Sequence, residues 1–243
     1  MSIEVDLSGK VAVVTGAGRG IGRAVALALG KNGATVITAA RTQAQITAVS
    51  QEIIKAGGKS MAVTCDLADE SQIEALFEAV QEKFGQLDIQ INNAAIGLYG
   101  QLAEFPTADL DRLLSINVRG TYLCCQQAMR MMIPQRVGTI INISSVVGFK
   151  GYGNQSAYTA SKHAVAGMTK SLAVEAQPYN IRASLIYPGG TDTDLVGDAR
   201  PDLDRSVLMQ PEDIAHTVLF LLSLSERCAV DEIYIRRRSS SPF

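Results

Sequence analysis

Short apolar runs alternate with longer stretches of helical spacing along most of the 243-residue chain. The apolar runs are rich in β-branched residues, and most are followed by glycine, asparagine, serine or proline, which is typical of buried strands. This pattern predicts strands at residues 11–15, 35–39, 60–64, 87–92, 139–143, 181–187 and 233–235.

The stretches between these runs have the spacing and the end signals of helices. They predict helices at residues 21–31, 43–56, 71–84, 108–132, 158–175 and 211–222. Ser71 with Glu74 three residues later has the pattern of a capping box, so the third helix is expected to begin at Ser71. Pro211 suits the first turn of the last helix.

Strict alternation of strands and helices predicts an α/β fold with a parallel sheet and helices on both faces. Right-handed crossovers give a single-domain, Rossmann-like, doubly wound sheet of about seven strands over residues 1–243. Ligands bind beyond the carboxyl ends of the strands in such sheets. Gly16, Asn92, Ser145 and Pro188 each follow a strand closely, so we expect them to face that crevice.

Composition narrows the classes of partner. Hydrophobic residues make up 47% of the chain and the net charge is −2, which argues for a sizeable core and against a nucleic-acid partner. No apolar run reaches the roughly 18 residues of a membrane span, and the first residues lack the regions of a signal peptide. We therefore expect a cytoplasmic protein without a membrane partner. Its reduced cysteines are Cys65, Cys124, Cys125 and Cys228.

A glycine-rich segment, TGAGRGIG at residues 15–22, joins the first strand to the first helix. Glycines let a backbone approach a pyrophosphate, and the N-terminus of the following helix offers unpaired N–H groups to it. The spacing is T-G-x-x-x-G-x-G rather than G-x-G-x-x-G, and a tight turn without a ligand is the alternative. The expected dinucleotide contacts here are Gly16, Gly18, Arg19, Gly20, Ile21 and Gly22.

The end of the second strand indicates the phosphate state of that dinucleotide. NAD sites usually place a carboxylate there, whereas this chain has Arg41 and Thr42. Arginine offers a planar fork of donors that suits a 2′-phosphate, with Arg19 flanking it, so we predict NADP(H) rather than NAD(H). Two solvated arginines are the alternative. After the third strand, Asp66, beside Leu67, is expected to accept a hydrogen bond from the adenine amine, or else to cap the next helix.

Tyr158 and Lys162 stand four residues apart, and Ser145 precedes Tyr158 by thirteen. Positions i and i+4 share one face of a helix, which places a phenol beside an ammonium. A fixed positive charge favours the phenolate, so we expect a lowered Tyr158 pKa. An acid/base group tuned toward neutrality suits carbonyl reduction or alcohol oxidation.

Together these residues resemble the short-chain dehydrogenase/reductase family over nearly the whole chain. The resemblance rests on residues 15–22, Asn92-Asn93-Ala94-Ala95, Asn117, Ser145, Tyr158 with Lys162, and Pro188-Gly189 with Thr193. It implies hydride transfer between NADP(H) and a small carbonyl or alcohol substrate. A motif set in this order and at this spacing is far more specific than any of its parts.

The resemblance also implies roles for the catalytic residues. Tyr158 would protonate the carbonyl oxygen during reduction, and Ser145 would donate a hydrogen bond to that oxygen. Lys162 would lower the Tyr158 pKa and hydrogen-bond the nicotinamide ribose. Asn117 would hold a water that links Lys162 to solvent.

Further cofactor contacts follow from the same resemblance. Asn93 and Ala94 would pass along the adenosine ribose. Pro188, Gly189 and Thr193 would position the nicotinamide amide. Family members commonly form tetramers through the last helix and strand, so we expect a homotetramer, with a dimer as the alternative. The C-terminal residues 236–243, which begin with three arginines, depart from the family pattern and are expected to form a flexible, solvated tail, with phosphate or partner binding as the alternative.

The substrate pocket is expected to be apolar, which favours small to medium ketones or aldehydes. Its predicted lid covers residues 194–209, and its predicted wall residues are Leu98, Val147, Tyr152, Gly190, Leu195, Val196, Val207, Leu208 and Met209. A 3-oxoacyl-acyl-carrier-protein reductase is the nearest alternative, although Tyr179 stands where a second basic residue beside Arg136 is expected. A non-catalytic NADP(H) sensor is the alternative from another class.

Overall fold

The computed structural model describes residues 5–199 and 204–241, with only the backbone described at 198 and 199. It contains one seven-stranded sheet in the order β3-β2-β1-β4-β5-β6-β7, with every neighbouring pair parallel. The strands are β1 Val11–Thr15, β2 Thr35–Ala40, β3 Lys59–Thr64, β4 Ile89–Asn92, β5 Gly138–Ile143, β6 Ile181–Pro188 and β7 Glu232–Ile235. The doubly wound α/β prediction is therefore confirmed.

Helices connect these strands. They are α1 Gly20–Lys31, α2 Gln43–Lys55, α3 Glu70–Phe84, α4 Thr107–Leu114, α5 Thr121–Gln135, α6 Ser156–Ala176, α7 Asp194–Ala199 and α8 Pro211–Ser223. Short 3₁₀ turns occupy Leu102–Glu104, Val146–Gly148, Gln177–Tyr179 and Arg205–Val207. None of the helices within the described ranges has the length and apolar character needed to cross a bilayer.

The core has two main layers, one on each face of the sheet. On one face, α1 and α8 pack against the central strands, with Leu29, Ile91 and Val218 fully buried. On the other face, α3 and α5 cover the same strands, with Leu76 and Met132 fully buried. Alternate residues of a strand point to opposite faces, so strands covered on both sides read as continuous apolar runs.

The third helix begins differently from the prediction. It begins at Glu70, and its N-cap is Asp69, whose carboxylate accepts hydrogen bonds from the backbone N–H groups of Ser71 and Gln72. The predicted capping box of Ser71 and Glu74 is therefore wrong. Aspartate is as good an N-cap as serine, and here Asp69 also accepts from the Gln72 side chain.

The predicted helix at 108–132 is one continuous rod with a π-helical segment at Ser115–Gly120 between α4 and α5. The rod continues to Gln135, because Pro134 in the last turn removes only one backbone donor. Strand β4 begins later than predicted, because Leu87 pairs its backbone with the Gln135 side chain.

Candidate active site

A cleft of about 700 Å³ lies along the carboxyl edge of the sheet. Segments that follow β1 to β7 contribute to it, as expected for a doubly wound sheet. Every predicted catalytic or cofactor residue lines this cleft except Gly22 and Asn117, which stand directly behind its wall. The tertiary structure thus brings together residues that are far apart in sequence.

The glycine-rich segment turns sharply from β1 into α1. Gly16 and Gly20 have φ angles of +65° and +54°, a region that favours glycine. A side-chain carbon at Gly22 would overlap the carbonyl oxygen of Gly16 and lie 2.5 Å from Nδ2 of Asn93. Arg19 at the N-cap of α1 makes no side-chain capping bond, so the first N–H groups of α1 are open to an anion. This cradle fits a dinucleotide pyrophosphate.

Asn93 holds the glycine-rich segment in place. Its backbone N–H donates to Oγ1 of Thr15 at 3.1 Å, and its Nδ2 donates to the carbonyl oxygens of Thr15 and Gly16 at 3.1 and 3.3 Å. The N–H of Ala94 donates to the same Thr15 hydroxyl at 3.2 Å. These bonds tie the end of β4 to the end of β1. Asn93 therefore has a bracing function that the sequence did not predict.

The ends of β2 and β3 form the other side of the nucleotide end of the cleft. Arg41 is exposed there and makes no ion pair with a described residue, and Thr42 is the N-cap of α2. Asp66 accepts from the N–H of Ala68 through Oδ1 and lines the cleft beside Leu67. The N-cap of α3 is Asp69 and not Asp66, so the alternative prediction that Asp66 caps this helix is wrong.

Arg19 reaches across the cleft. Its Nη1 lies 2.7 Å from Oδ2 of Asp194, the first residue of α7. Thr193 stands over the same glycine-rich segment, because its Cγ2 lies 3.1 Å from the position that a side-chain carbon at Gly20 would take. The segment after β6 therefore closes on the segment after β1. Gly189 fixes its base through an N–H bond to the Ile235 carbonyl at 2.8 Å.

Ser145, Tyr158 and Lys162 meet at the middle of the cleft. Ser145 follows β5 in extended backbone, and its hydroxyl accepts from the N–H of Val147. Tyr158 and Lys162 lie on the buried face of α6, with Lys162 Nζ 5.8 Å from the centroid of the Tyr158 ring. The predicted helical adjacency is thus present. Lys162 Nζ also donates to the Ile143 carbonyl at 3.1 Å.

The pKa directions differ from the sequence prediction. Burial raises the pKa of Tyr158, Tyr99 adds to this rise, and the hydrogen bond with Ser145 acts in the opposite sense. Burial lowers the pKa of Lys162 to about 8. The expected lowering of the Tyr158 pKa is therefore wrong for the protein alone, because removal of the phenolate from water outweighs the nearby ammonium.

Asn117 lies in the π-helical segment and is almost fully buried. Its side chain accepts from the N–H of Ile96 at 2.8 Å and donates to the Ile96 carbonyl at 2.9 Å. Its Nδ2 also donates to the Ser161 hydroxyl, which in turn donates to the Tyr158 carbonyl. Asn117 thus ties the loop after β4 to the first turn of α6.

The walls beyond the catalytic residues differ in part from the prediction. Val147, Tyr152, Gly190, Leu195 and Val196 line the cleft as predicted, whereas Leu98, Val207, Leu208 and Met209 do not. Leu208 and Met209 are buried in packing contacts of the fold. Residues 200–203 of the predicted lid lie outside the described residues.

Tyr99 and Gln155, which the sequence did not indicate, also line the cleft, as does Arg237, whose segment was expected to be a solvated tail, with phosphate or partner binding as the alternative. The Tyr99 ring meets the Tyr158 ring edge-on, with centroids 5.6 Å apart. No periodic pattern covers the loop that carries Tyr99, so its position in the cleft could not be predicted from the sequence. No set of three histidine, cysteine, aspartate or glutamate residues suited to a metal ion occurs within the described ranges.

Comparison with known proteins places the chain in a family. Residues 10–204 match the model for short chain dehydrogenases, and the chain belongs to the short-chain dehydrogenase/reductase family of oxidoreductases. It is 38% identical to the 3-oxoacyl-acyl-carrier-protein reductase of Aquifex aeolicus over 91% of this chain and 93% of that protein. It is 40% identical to a 3beta-hydroxysteroid dehydrogenase of Mediterraneibacter gnavus over 80% of this chain and 70% of that protein. Carbonyl reductase family member 4 of Xenopus laevis is 38% identical, over 88% and 91% of the two chains.

Solved structures agree in fold and identify the cofactor class. A metagenomic short-chain oxidoreductase in complex with NADP superposes with a TM-score of 0.85 at 35% identity, covering 96% of this chain and 99% of that one. Levodione reductase gives a TM-score of 0.86 at 32% identity, covering 93% and 96%. Together with the open α1 N-terminus and Arg41, the NADP complex of the metagenomic oxidoreductase supports NADP(H) as the cofactor of this protein.

Proposed function

We propose that this protein reduces a ketone or aldehyde with NADP(H), using Tyr158 as the acid. One observation supports this proposal most directly. Ser145, Tyr158 and Lys162 line one cleft together with the glycine-rich segment, so a carbonyl group beside Tyr158 is also beside a bound nicotinamide. The bound cofactor supplies the hydride, and the protein supplies binding, orientation and the proton.

The proton chemistry follows from burial. A raised Tyr158 pKa keeps the phenol protonated at neutral pH, so it is ready to donate to the carbonyl oxygen as the carbon is reduced. Ser145 donates a second hydrogen bond to that oxygen and holds it toward Tyr158. The phenolate that remains lies beside Lys162, whose ammonium stabilises it and whose pKa of about 8 suits proton return near neutrality.

The remaining site residues are proposed to position these groups. Lys162 would hydrogen-bond the nicotinamide ribose, and Asn117 would hold a water on the path from Lys162 to solvent. Arg41 and Thr42 would take the 2′-phosphate, with Arg19 flanking it. Pro188, Gly189 and Thr193 would seat the nicotinamide amide, and Asp66, Leu67, Asn93 and Ala94 the adenosine side.

The cleft favours a substrate with an apolar body. Val147, Leu195 and Val196 present apolar surface near Tyr158, and Tyr99 and Tyr152 add aromatic walls. A 3-oxoacyl thioester is the second candidate, because a 3-oxoacyl-acyl-carrier-protein reductase is 38% identical over nearly its whole length. Two observations argue against this second candidate. Arg136 Nη2 donates a hydrogen bond to the Pro178 carbonyl at 3.0 Å. The residue after Pro178 is Tyr179, where a second basic residue is expected for docking an acyl carrier protein.

We also propose a cytoplasmic homotetramer, with a homodimer as the alternative. Large apolar side chains are exposed on three helices: Tyr122 on α5 at 56%, Val174 on α6 at 71% and Phe220 on α8 at 40%. We propose that these side chains contact other copies of this chain. Sedimentation of the purified protein would distinguish monomer, dimer and tetramer.

The test of the proposed function is NADPH consumption, with NADH in parallel, against aliphatic ketones, aryl ketones, aldehydes, steroid ketones and 3-oxoacyl thioesters. The expected result is NADPH-dependent turnover of at least one class, lost in Tyr158→Phe. Tight cofactor binding with no turnover of any class would favour the alternative of a non-catalytic NADP(H) sensor.

A further inference from the structure

The residues that follow β7 stay close to the sheet. Residues 237–240 form a tight turn in which the N–H and the hydroxyl of Ser240 both donate to the Arg237 carbonyl, at 3.1 and 2.9 Å. Arg236 braces this turn by donating from Nη1 to the carbonyls of Arg237 and Ser240. The turn begins two residues after Ile235, whose carbonyl accepts from the N–H of Gly189 in the wall of the cleft. The backbone of Arg237 is thereby held against the site.

The Arg237 side chain enters the cleft over a glycine. Its Cδ and Nε lie 3.3 and 3.4 Å from the position that a side-chain carbon at Gly190 would take. A larger residue at position 190 would therefore compete with Arg237 for the same space. Arg237 is half-buried and lines the cleft together with Gly190. The absence of a side chain at Gly190 thus leaves room for the guanidinium of Arg237.

The guanidinium of Arg237 has no counter-charge among the described residues. Three other arginines of the cleft are each paired with a carboxylate: Arg19 with Asp194, Arg23 with Glu52, and Arg205 with Asp192. Arg237 makes no ion pair or side-chain hydrogen bond within the described ranges. A half-buried guanidinium is best satisfied by a planar anion that accepts two hydrogen bonds.

The strand order places Arg237 on the other side of the sheet from β1 and β2, whose ends are proposed to hold the cofactor phosphates. β7 is the edge strand, five strands from β2, which carries Arg41, and four from β1, which carries the glycine-rich segment. At a strand spacing of about 4.8 Å the ends of these strands are roughly 24 Å and 19 Å from the end of β7. Ser145 follows β5, only two strands from β7. Arg237 therefore lies at the substrate end of the cleft.

We propose that Arg237 binds an anionic group of the substrate, so that the preferred substrate is an oxo acid: a carbonyl compound with an apolar body and a carboxylate or phosphate at its far end. This rests on the proposed function and narrows its substrate class. The apolar walls near Tyr158 accommodate the body, and Arg237 fixes the charged end. Glu212, in the first turn of α8, is a competing carboxylate, because it also lines the cleft and makes no ion pair with a described residue.

The test compares each acid with its neutral counterpart. The kcat/KM for NADPH-dependent reduction is measured for 3-oxobutanoate, 4-oxopentanoate and 6-oxoheptanoate, each against its methyl ester, with 4-oxopentylphosphonate as the phosphate-like arm. One charge-assisted pair should favour the best acid over its ester by about tenfold or more. The relative rates of carboxylate and phosphonate then identify which anion the site takes.

Substitutions assign that preference to Arg237. Arg237→Gln should bring the ratio of kcat/KM for the acid to kcat/KM for its ester close to one, mainly by raising KM for the acid. Arg237→Lys should keep part of it, since lysine retains the charge but loses the planar fork. Arg238→Gln, at an exposed neighbouring position, is the matched control and should keep all of it. A preference that appears only in Glu212→Gln would overturn the proposal, because Glu212 would then be the partner of Arg237.

Binding without turnover separates this proposal from the proposed function. Hexanoate binding to the protein with NADP⁺ is measured by calorimetry for the wild type and Arg237→Gln, and the variant should bind about tenfold more weakly. Reduction of neutral ketones without an acid preference or hexanoate binding would overturn the role of Arg237 alone. Hexanoate binding that depends on Arg237, with no carbonyl compound reduced, would overturn the proposed function alone. Equal hexanoate affinity in both proteins would overturn the role of Arg237.

Discussion

Lys162 Nζ lies 5.8 Å from the centroid of the Tyr158 ring, and both side chains are almost fully buried on one face of α6. Burial acts on the two groups in opposite directions: it raises the pKa of the phenol and lowers that of the ammonium to about 8. The two proton affinities, which are close to each other in water, thus move apart, and the phenol holds its proton more tightly than the ammonium. In the protein alone Tyr158 therefore stays protonated near neutral pH as the proton donor, and Lys162 releases its proton at lower pH than Tyr158 does.

Tyr158→Phe should lower turnover by about 10²–10⁴-fold, because the variant lacks the proton donor while the shape of the cleft is kept. NADPH affinity, measured by quenching of the bound cofactor's fluorescence, should stay near that of the wild type. Tyr152→Phe is the matched control, since Tyr152 lines the same cleft but is 46% exposed. Equal activity in Tyr158→Phe and the wild type would remove Tyr158 from its proposed role.

Lys162→Met should stabilise the fold at neutral pH while impairing turnover. The pKa of Lys162 is lowered from 10.5 to about 8 in the folded protein, so the unfolded chain binds this proton more tightly. The cost of the buried charge is then fully present below pH 8 and is lost as pH rises toward 10.5, so wild-type stability should increase over that range.

Denaturant unfolding at pH 7 and pH 10 measures this effect. The variant should gain up to roughly 3 kcal/mol over the wild type at pH 7, less the lost hydrogen bond to Ile143, and lose most of that gain at pH 10. The control is Lys170→Met, because Lys170 is exposed and its ion pair with Glu232 lies at the surface. An advantage of Lys162→Met that is independent of pH would contradict the buried-charge argument.

Arg41→Ala should weaken NADPH binding by about tenfold to a hundredfold and leave NADH binding unchanged, because only NADPH carries the 2′-phosphate. Titration of both cofactors against the wild type and the variant gives the two ratios. Arg23→Ala is the control, since Arg23 also lines the cleft but pairs with Glu52. Loss of both cofactors to the same degree would assign Arg41 to the fold rather than to the phosphate.

Gly22→Ala should destabilise the fold by about 1–3 kcal/mol and weaken cofactor binding, because the added carbon would overlap the carbonyl oxygen of Gly16 and crowd Asn93. Gly167→Ala, in the middle of α6, is the matched control. Nothing lies within 4 Å of its added carbon, so it should stabilise the helix by about 0.5–1 kcal/mol. Thermal unfolding of both variants measures the contrast. A stable Gly22→Ala protein with normal NADPH affinity would contradict the close approach seen at Gly16.

Features that depend on interactions between residues close in sequence could be predicted, and features that depend on distant residues could not. The strands and helices were found from local periodicity, and their ends shifted by a few residues where a non-local partner intervened. Leu87 was predicted in β4 but lies outside it, because its backbone N–H and carbonyl hydrogen-bond with the Gln135 side chain. Asp69, rather than Ser71, is the N-cap of α3. Both residue types cap helices well, so the local sequence does not decide between them.

The sequence by itself determined which chemical groups are present and how they are spaced along each element. The i and i+4 spacing of Tyr158 and Lys162 and the glycines at 16, 20 and 22 are local features, and local geometry is enough to interpret them. Only the tertiary structure decided burial and long-range partners. It reversed the expected pKa shift of Tyr158, joined Asn93 to Thr15 and brought Arg237 over Gly190. Desolvation and side-chain packing depend on the elements that cover a residue, and those elements come from distant parts of the chain.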